Sequence, residues 1–226
     1  HELSKKTLNE KADIGISFDG DADRVIFCDE KGSVVDGDYI LAILALFYKK
    51  KKKLFNNSVV STKMSNLGVR NFFLKEKIKY YLSDVGDRYV VELMKKNDCI
   101  LGGEQSGHII LSENSFCGDG LFTALTILEI LNEYNLTLSK LHRNLFDKFP
   151  QQLVNYKLIN NFDLVIKDRT INNLLNKYSK TNSCEVLLRK SGTENLLRLM
   201  VQADSKNLVE KIIKEFLIEI KKLDEN

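Results

Sequence analysis

Residues 19–24 read Asp-Gly-Asp-Ala-Asp-Arg, and an apolar run presses on each end: Ala12-Asp-Ile-Gly-Ile-Ser-Phe18 before, Val25-Ile-Phe-Cys28 after. Both flanks have the length and composition of short buried strands. The acidic residues therefore have one place to go, a tight strand-to-strand loop held rigid on both sides. Asp19, Asp21 and Asp23 alternate along it. Such a cluster repels itself unless a cation neutralises it. Carboxylate oxygens are hard ligands that suit Mg²⁺, which takes a few of them and leaves room for phosphate oxygens. An EF-hand calcium loop shares the opening Asp19, Asp21, Asp23 and a Glu30 at its twelfth place. It requires glycine at the sixth place, where this chain has Arg24, followed by strand-like residues. Taken alone, the loop is also compatible with a solvated acidic turn.

The 226 residues, 43% of them hydrophobic, suffice for a core and for one or two domains. A net charge of +3 is a weak argument for nucleic acid. The densest basic patch, Lys49–Lys53, is accounted for by a solvated helix end and lacks any recognition motif beside it. The four cysteines, Cys28, Cys99, Cys117 and Cys184, follow no metal-ligand spacing. Cys28, Cys99 and Cys184 lie in or beside apolar runs and read as reduced core residues. No apolar stretch is long enough for a membrane span and no signal peptide is visible, which points to the cytoplasm. The chain begins with His1 and reaches a strand almost at once, as a fragment or a processed product would.

Further along, strand and helix signals alternate. Asp36-Gly-Asp38 precedes an apolar run, Tyr39–Phe47, that suits a buried helix capped by an aspartate. Ser58–Thr62 reads as a strand, Asn66 caps a helix to about Lys75, and Ile78–Leu82 is the next strand. Gly86-Asp87 opens a helix to about Lys96; Cys99–Leu101 and Ile109–Leu111 are strands around a polar loop; Gly118-Asp-Gly120 leads into a long helix through Leu131. This order predicts an α/β fold, a mixed, mainly parallel sheet with flanking helices. Beyond the single proline, Pro150, the pattern is strand 152–158, helix 170–178, strands 185–189 and 196–202, and helix 206–223. That is a small C-terminal α+β domain of its own.

Two more loops carry chemistry. In Gly102-Gly-Glu-Gln-Ser-Gly-His108 the glycines let the backbone turn sharply and approach a ligand. Glu104 offers an acceptor, Ser106 a hydroxyl and His108 an imidazole, groups that suit sugar hydroxyls and proton transfer to an ester oxygen. The same residues would also make a polar turn with a capping serine. Arg189-Lys-Ser-Gly-Thr-Glu194, with Arg198 close behind, offers guanidinium groups, the hydroxyls of Ser191 and Thr193 and a backbone freed at Gly192. This is a phosphate cradle without the lysine placement of a Walker loop, or else a basic hairpin turn.

Taken together and in this order, the three loops resemble those of the α-D-phosphohexomutase family, whose members carry an Asp-Gly-Asp-Gly-Asp-Arg metal loop, a Gly-Glu-X-Ser-Gly-His sugar loop and an Arg-X-Ser-Gly-Thr-Glu-Pro phosphate loop. The stretches Val34–Asp38, Ser65–Gly68, Val85–Val90, Gly118–Gly120 and Phe149–Asn155 resemble its glucosamine branch, so the likeness covers nearly the whole chain. Ala22 replaces the usual middle glycine and Asn195 the usual proline. The family's phosphoserine segment, of Ser-His-Asn type, has no counterpart here. The resemblance implies residues 1–36 as the end of a second domain with the metal loop, 37–147 as a third domain with the sugar loop, and 148–226 as a fourth, phosphate-binding domain. It implies a mutase that interconverts glucosamine 6-phosphate and glucosamine 1-phosphate through a phosphoserine and a bisphosphate intermediate, on the path to UDP-N-acetylglucosamine and cell wall. In that scheme Asp19, Asp21 and Asp23 bind Mg²⁺, Arg24 steadies the transferring group and His108 carries a proton. Arg88, Glu104 and Ser106 contact the sugar; Arg189, Ser191, Gly192, Thr193 and Arg198 grip the other phosphate. The implied partner is a phosphorylated amino sugar, with no nucleic acid and no membrane. The oligomeric state stays open. Mannose or glucose phosphate as substrate, and a non-catalytic phosphosugar-binding fragment, are the alternatives.

Overall fold

The computed structural model describes residues 2–158, 162–179, 183–191 and 196–224. The chain forms two compact units, the first ending at Asp147 and the second starting at Lys148. It is mixed α/β, with a mainly parallel central sheet, flanking helices and a C-terminal antiparallel sheet.

The first unit opens with a helix, α1 (Glu2–Asn9), where the sequence suggested a strand almost at once. This helix has few apolar anchors, and a close approach seats it: a Cβ on Gly15 would lie 2.1 Å from the buried Thr7 hydroxyl. Strands β1 (Ile14–Phe18), β2 (Val25–Asp29) and β3 (Val34–Val35) follow as an antiparallel sheet, with Phe18 paired to Val25 and the acidic loop between them.

Next come α2 (Gly37–Lys50), β4 (Ser58–Thr62), α3 (Leu67–Lys75), β5 (Lys79–Ser83), α4 (Asp87–Lys96), β6 (Leu101–Gly103), β7 (Ile109–Leu111), α5 (Gly120–Tyr134) and α6 (Leu138–His142). The sheet order is β5-β4-β6-β7, with β5, β4 and β6 parallel and β7 antiparallel. Strand β4 is buried at every position, because it lies inside the sheet with helices on both faces. Val59 joins the core of Ile40, Leu44, Phe73 and Ile127, whereas Val60 packs the other way on Val90, Met94 and Ile110. Such alternation is the period-two signature of a strand.

Asn66 caps α3 as its sequence suggests, accepting the Gly68 N–H at 2.9 Å. Asp36 holds the N-cap position of α2 in extended backbone, yet its side chain makes no capping hydrogen bond. Strand β6 begins at Leu101 rather than Cys99 and runs over two glycines. Glycine is depleted in strands except where another group comes close, and here the Met94 sulfur would lie 2.4 Å from a Cβ on Gly102. Among the described residues no helix is long and apolar enough to cross a membrane. Cys28, Cys99 and Cys184 are buried, and Cys117 is exposed.

The second unit contains β8 (Gln151–Lys157), α7 (Phe162–Lys167), α8 (Arg169–Ser179), β9 (Cys184–Lys190), β10 (Leu196–Ala203) and α9 (Lys206–Asp224). Its sheet is antiparallel in the order β8-β10-β9. Alternate residues of β10, Leu197, Leu199, Val201 and Ala203, share a core with Ile171 of α8 and with Ile212, Phe216 and Ile220 of α9. Helix α7 is an element that the sequence pattern does not announce; it is one short turn and a half ahead of Asp168, which accepts the Thr170 and Ile171 N–H groups that open α8.

Candidate functional site

The hairpin β1–β2 holds the carboxylates as its flanks demand. One ligand oxygen from each of Asp19, Asp21 and Asp23 lies within 4.8 Å of the others. Ala22 sits at the centre of the turn with φ 58° and donates its N–H to the Asp19 carbonyl. Arg24 folds back on the cluster: its N–H reaches Asp19 Oδ1 at 3.2 Å, and its Nε stands 3.6 Å from both Asp19 and Asp23. Burial pushes the Asp23 carboxyl above its ordinary value; His108 pulls it back, and Asp19 and Asp21 push it up again. Three hard oxygen donors so close, one of them resisting ionisation, fit a divalent cation that would relieve the repulsion.

The 103–108 loop joins β6 to β7 and lies directly on this hairpin. Arg24 and His108 form an isolated antiparallel bridge, and the Val25 N–H donates to the Gly107 carbonyl at 3.1 Å. His108 is 5% exposed, and its Nδ1 stands 3.1 Å from Asp23 Oδ2. An ionised carboxylate only accepts, so opposite it the imidazole presents Nδ1–H, and Asp23 fixes the orientation of the ring. Gly118, just ahead of α5, covers the ring: a Cβ there would lie 2.4–2.6 Å from Cε1, Nε2 and Nδ1. The Gly118-Asp-Gly120 stretch stood out in the sequence, but this contact left no signal in it. Asp119 caps α5 by accepting the Phe122 N–H at 2.8 Å, and the Gly120 N–H donates to the Ala22 carbonyl at 2.9 Å.

Glu104 and Ser106 project from the same loop. Glu104 Oε1 accepts the Gly86 N–H at 3.0 Å, and Ser106 Oγ donates to Glu104 Oε2 at 3.2 Å. Gly86, at φ 129°, is in backbone that only glycine adopts readily, and it starts α4. The loops after β4, β5 and β6 all leave the C-terminal ends of parallel strands, the edge where open α/β sheets bind ligands. Arg88 lies on the surface of α4, with Nε 2.8 Å from Glu92 Oε1.

In the second unit, Arg189 of β9 and Arg198 of β10 are direct cross-strand partners. Ser191 is 3% exposed, donates its N–H to the Leu196 carbonyl at 2.8 Å, and its hydroxyl has no hydrogen-bond partner among the described residues. A buried hydroxyl two residues along the chain from Arg189 suits an anion. Gly192 and Thr193, expected in the same cradle, lie outside the described residues.

The family described as phosphoglucomutase/phosphomannomutase, alpha/beta/alpha domain III, matches residues 36–149, and its C-terminal domain matches residues 167–219. A phosphoglucosamine mutase of Carboxydothermus hydrogenoformans is 40% identical over 221 residues, which is 98% of this chain and 50% of that protein. The chain thus spans about half the length of the curated relatives it matches. A phosphoglucomutase/phosphomannomutase family protein of Burkholderia thailandensis superposes with a TM-score of 0.78 at 20% identity, over 99% of this chain and 49% of that one. The Aspergillus fumigatus N-acetylphosphoglucosamine mutase, solved with GlcNAc-6P and magnesium, gives a TM-score of 0.74 at 19% identity, over 92% and 48%. At those identities the likeness shows the fold.

Proposed function

Because the chain belongs to the phosphoglucomutase/phosphomannomutase family, we propose that the whole protein is a phosphoglucosamine mutase and that this chain is its metal- and sugar-gripping half. It would interconvert glucosamine 6-phosphate and glucosamine 1-phosphate. The observation that carries the reading is the 3.1 Å contact of His108 with Asp23, which locks the carboxylate loop to the loop bearing Glu104 and Ser106. Relatives named phosphoglucosamine mutase support the amino sugar, and the magnesium and GlcNAc-6P held by the Aspergillus protein support the ligand classes.

Asp19, Asp21 and Asp23 would hold Mg²⁺, which supplies neutralisation of the charge on a transferring phosphoryl group. Arg24 stands over the same cluster and would add a cation to that group. His108, oriented by Asp23, takes or returns the proton of a sugar hydroxyl through Nε2. Glu104 is a preset acceptor, held by Gly86 and Ser106, for the hydroxyls of the sugar. Arg88 would reach substrate by leaving Glu92. Arg189, Ser191, Gly192, Thr193 and Arg198 would grip the phosphate that is not being transferred. The transferring serine would lie in the half that the relatives have and this chain lacks; residues 1–36, 37–147 and 148–226 would be the end of a second domain, a third and a fourth.

The test is turnover of the full-length protein with glucosamine 6-phosphate in competition with mannose and glucose phosphates. Preference for the amino sugar, and a loss of orders of magnitude in kcat for Asp21→Ala, are the expected results. Near-normal turnover by that variant would remove the metal from the carboxylate loop. Preference for another hexose phosphate would move the substrate to a different branch of the family.

A further inference from the structure

We infer that Asp38 is a positioning residue for the sugar loop, acting through Gln105 on Glu104 and Ser106. The inference rests on the reading of that loop as the sugar site. Asp38 is in the first turn of α2 and is 0% exposed. A buried carboxylate is costly unless its acceptor sites are filled by donors. Asp38 reaches beyond its own helix. Its Oδ2 accepts the Asn66 N–H at 3.0 Å, at the start of α3, and Gln105 Nε2 at 3.1 Å, in the middle of the sugar loop. One carboxylate thus ties together segments that follow β3, β4 and β6.

Gln105 is held at both ends. Its side-chain amide is on Asp38, and its carbonyl accepts the Gly37 N–H at 3.0 Å. The loop also rests on Gly37 without any gap: a Cβ there would lie 1.9 Å from the Glu104 carbonyl oxygen and 2.8 Å from the Gly107 nitrogen. Below it, Ser61 Oγ donates to the Gly103 carbonyl at 2.9 Å. With Gln105 turned inward and clamped, its neighbours Glu104 and Ser106 have their directions set by the chain. Preorganised groups of this kind lose no ordering entropy when ligand arrives. Gly37 and Asp38, at the entry to α2, therefore brace the sugar loop from behind, in a stretch that the sequence presents only as a helix cap.

The experiment compares wild-type full-length protein with Asp38→Asn and Gln105→Ala by hydrogen–deuterium exchange and by kinetics with glucosamine 6-phosphate. Loss of one charged hydrogen bond predicts roughly ten- to a hundred-fold faster exchange confined to residues 103–108. KM should rise by about ten-fold or more while Mg²⁺ affinity stays unchanged. Adding Gln105→Glu to Asp38→Asn, which restores a donor opposite a carboxylate, should recover both readouts. Unchanged exchange at 103–108 in a folded variant overturns the inference, as does a loss of stability spread evenly over the molecule. If Asp38→Asn fails to fold, Gln105→Ala, which leaves Asp38 with Asn66, decides the matter. Should the wild type neither bind nor turn over the amino-sugar phosphate, the proposed function fails, and the exchange data still decide the role of Asp38.

Discussion

Arg198 of β10 stands directly opposite Arg189 of β9, with Asn155 of β8 on its other side. Cross-strand partners project from the same face of a sheet, and like charges placed opposite one another destabilise it, by roughly 0.2–1 kcal/mol. A bound phosphate would turn this repulsion into attraction. Thermal melts of the chain should rise with added inorganic phosphate, and Arg189→Ala should abolish that rise. A variant that keeps the full phosphate response would remove the pair from the cradle.

Gly118→Ala should displace the His108 ring. The ring is buried, so it cannot step aside from a methyl group 2.4–2.6 Å away. Overpacking of this sort costs about 1–3 kcal/mol. Turnover of the full-length variant should fall by roughly ten-fold or more, and the His108 imidazole resonances should shift. Unmoved resonances would show that the ring has slack.

Ala22→Gly tests the turn of the carboxylate loop. At φ 58° an alanine is strained by roughly 1–2 kcal/mol, whereas glycine gives back about 0.5–1 kcal/mol in backbone entropy. The difference predicts a small net gain in stability, up to about 1 kcal/mol, read from urea denaturation. A loss of stability would mean that the Ala22 methyl group contributes packing.

Acid stability should depend on Glu30. Burial opposes ionisation of its carboxyl, but hydrogen bonds from the Ser139 hydroxyl and N–H and from Thr137 outweigh it, and the pKa falls from 4.5 to about 2. A depressed pKa contributes stability that is present above pH 4.5 and is lost as the pH falls toward 2. Glu30→Gln should be less stable than wild type at pH 7, and the two should converge near pH 2. Asp29, shifted down against its burial by His142 and the Ser33 and Lys31 N–H groups, adds to the wild-type loss with the same sign in both proteins. Parallel melting curves from pH 7 to pH 2 would contradict the assignment.

How far the sequence alone carried depended on whether a segment's signal was local. The span Ser58–Thr62 and the Asn66 cap were readable because apolar pattern and capping chemistry agree there. The carboxylate hairpin was readable because two strands flank six loop residues. Helices α1, α6 and α7 were not: α1 and α6 carry few apolar residues, and α7 is only six residues long. The shift of β6 onto Gly102 and Gly103 has the same origin: Met94 and Val90 crowd Gly102, and His108 and Ile109 crowd Gly103. Asp36 and Asp38 looked alike in the sequence. Burial separates them, with Asp38 at 0% exposure tying two loops while Asp36 makes no cap bond. That His108 faces Asp23, 85 residues away in the chain, is a product of topology.

Gly107, at φ 93°, lies so near the hairpin that a Cβ would come within 2.2 Å of the Val25 carbonyl oxygen. The carboxylate turn and the sugar loop are therefore not separately interchangeable parts. A chimera that imported either one from a distant relative would bring a surface shaped for a different mate. Any change that reshapes the 103–108 loop at Gly107 has to carry the hairpin with it, so the proposed metal seat and the proposed sugar seat would evolve as one inheritance.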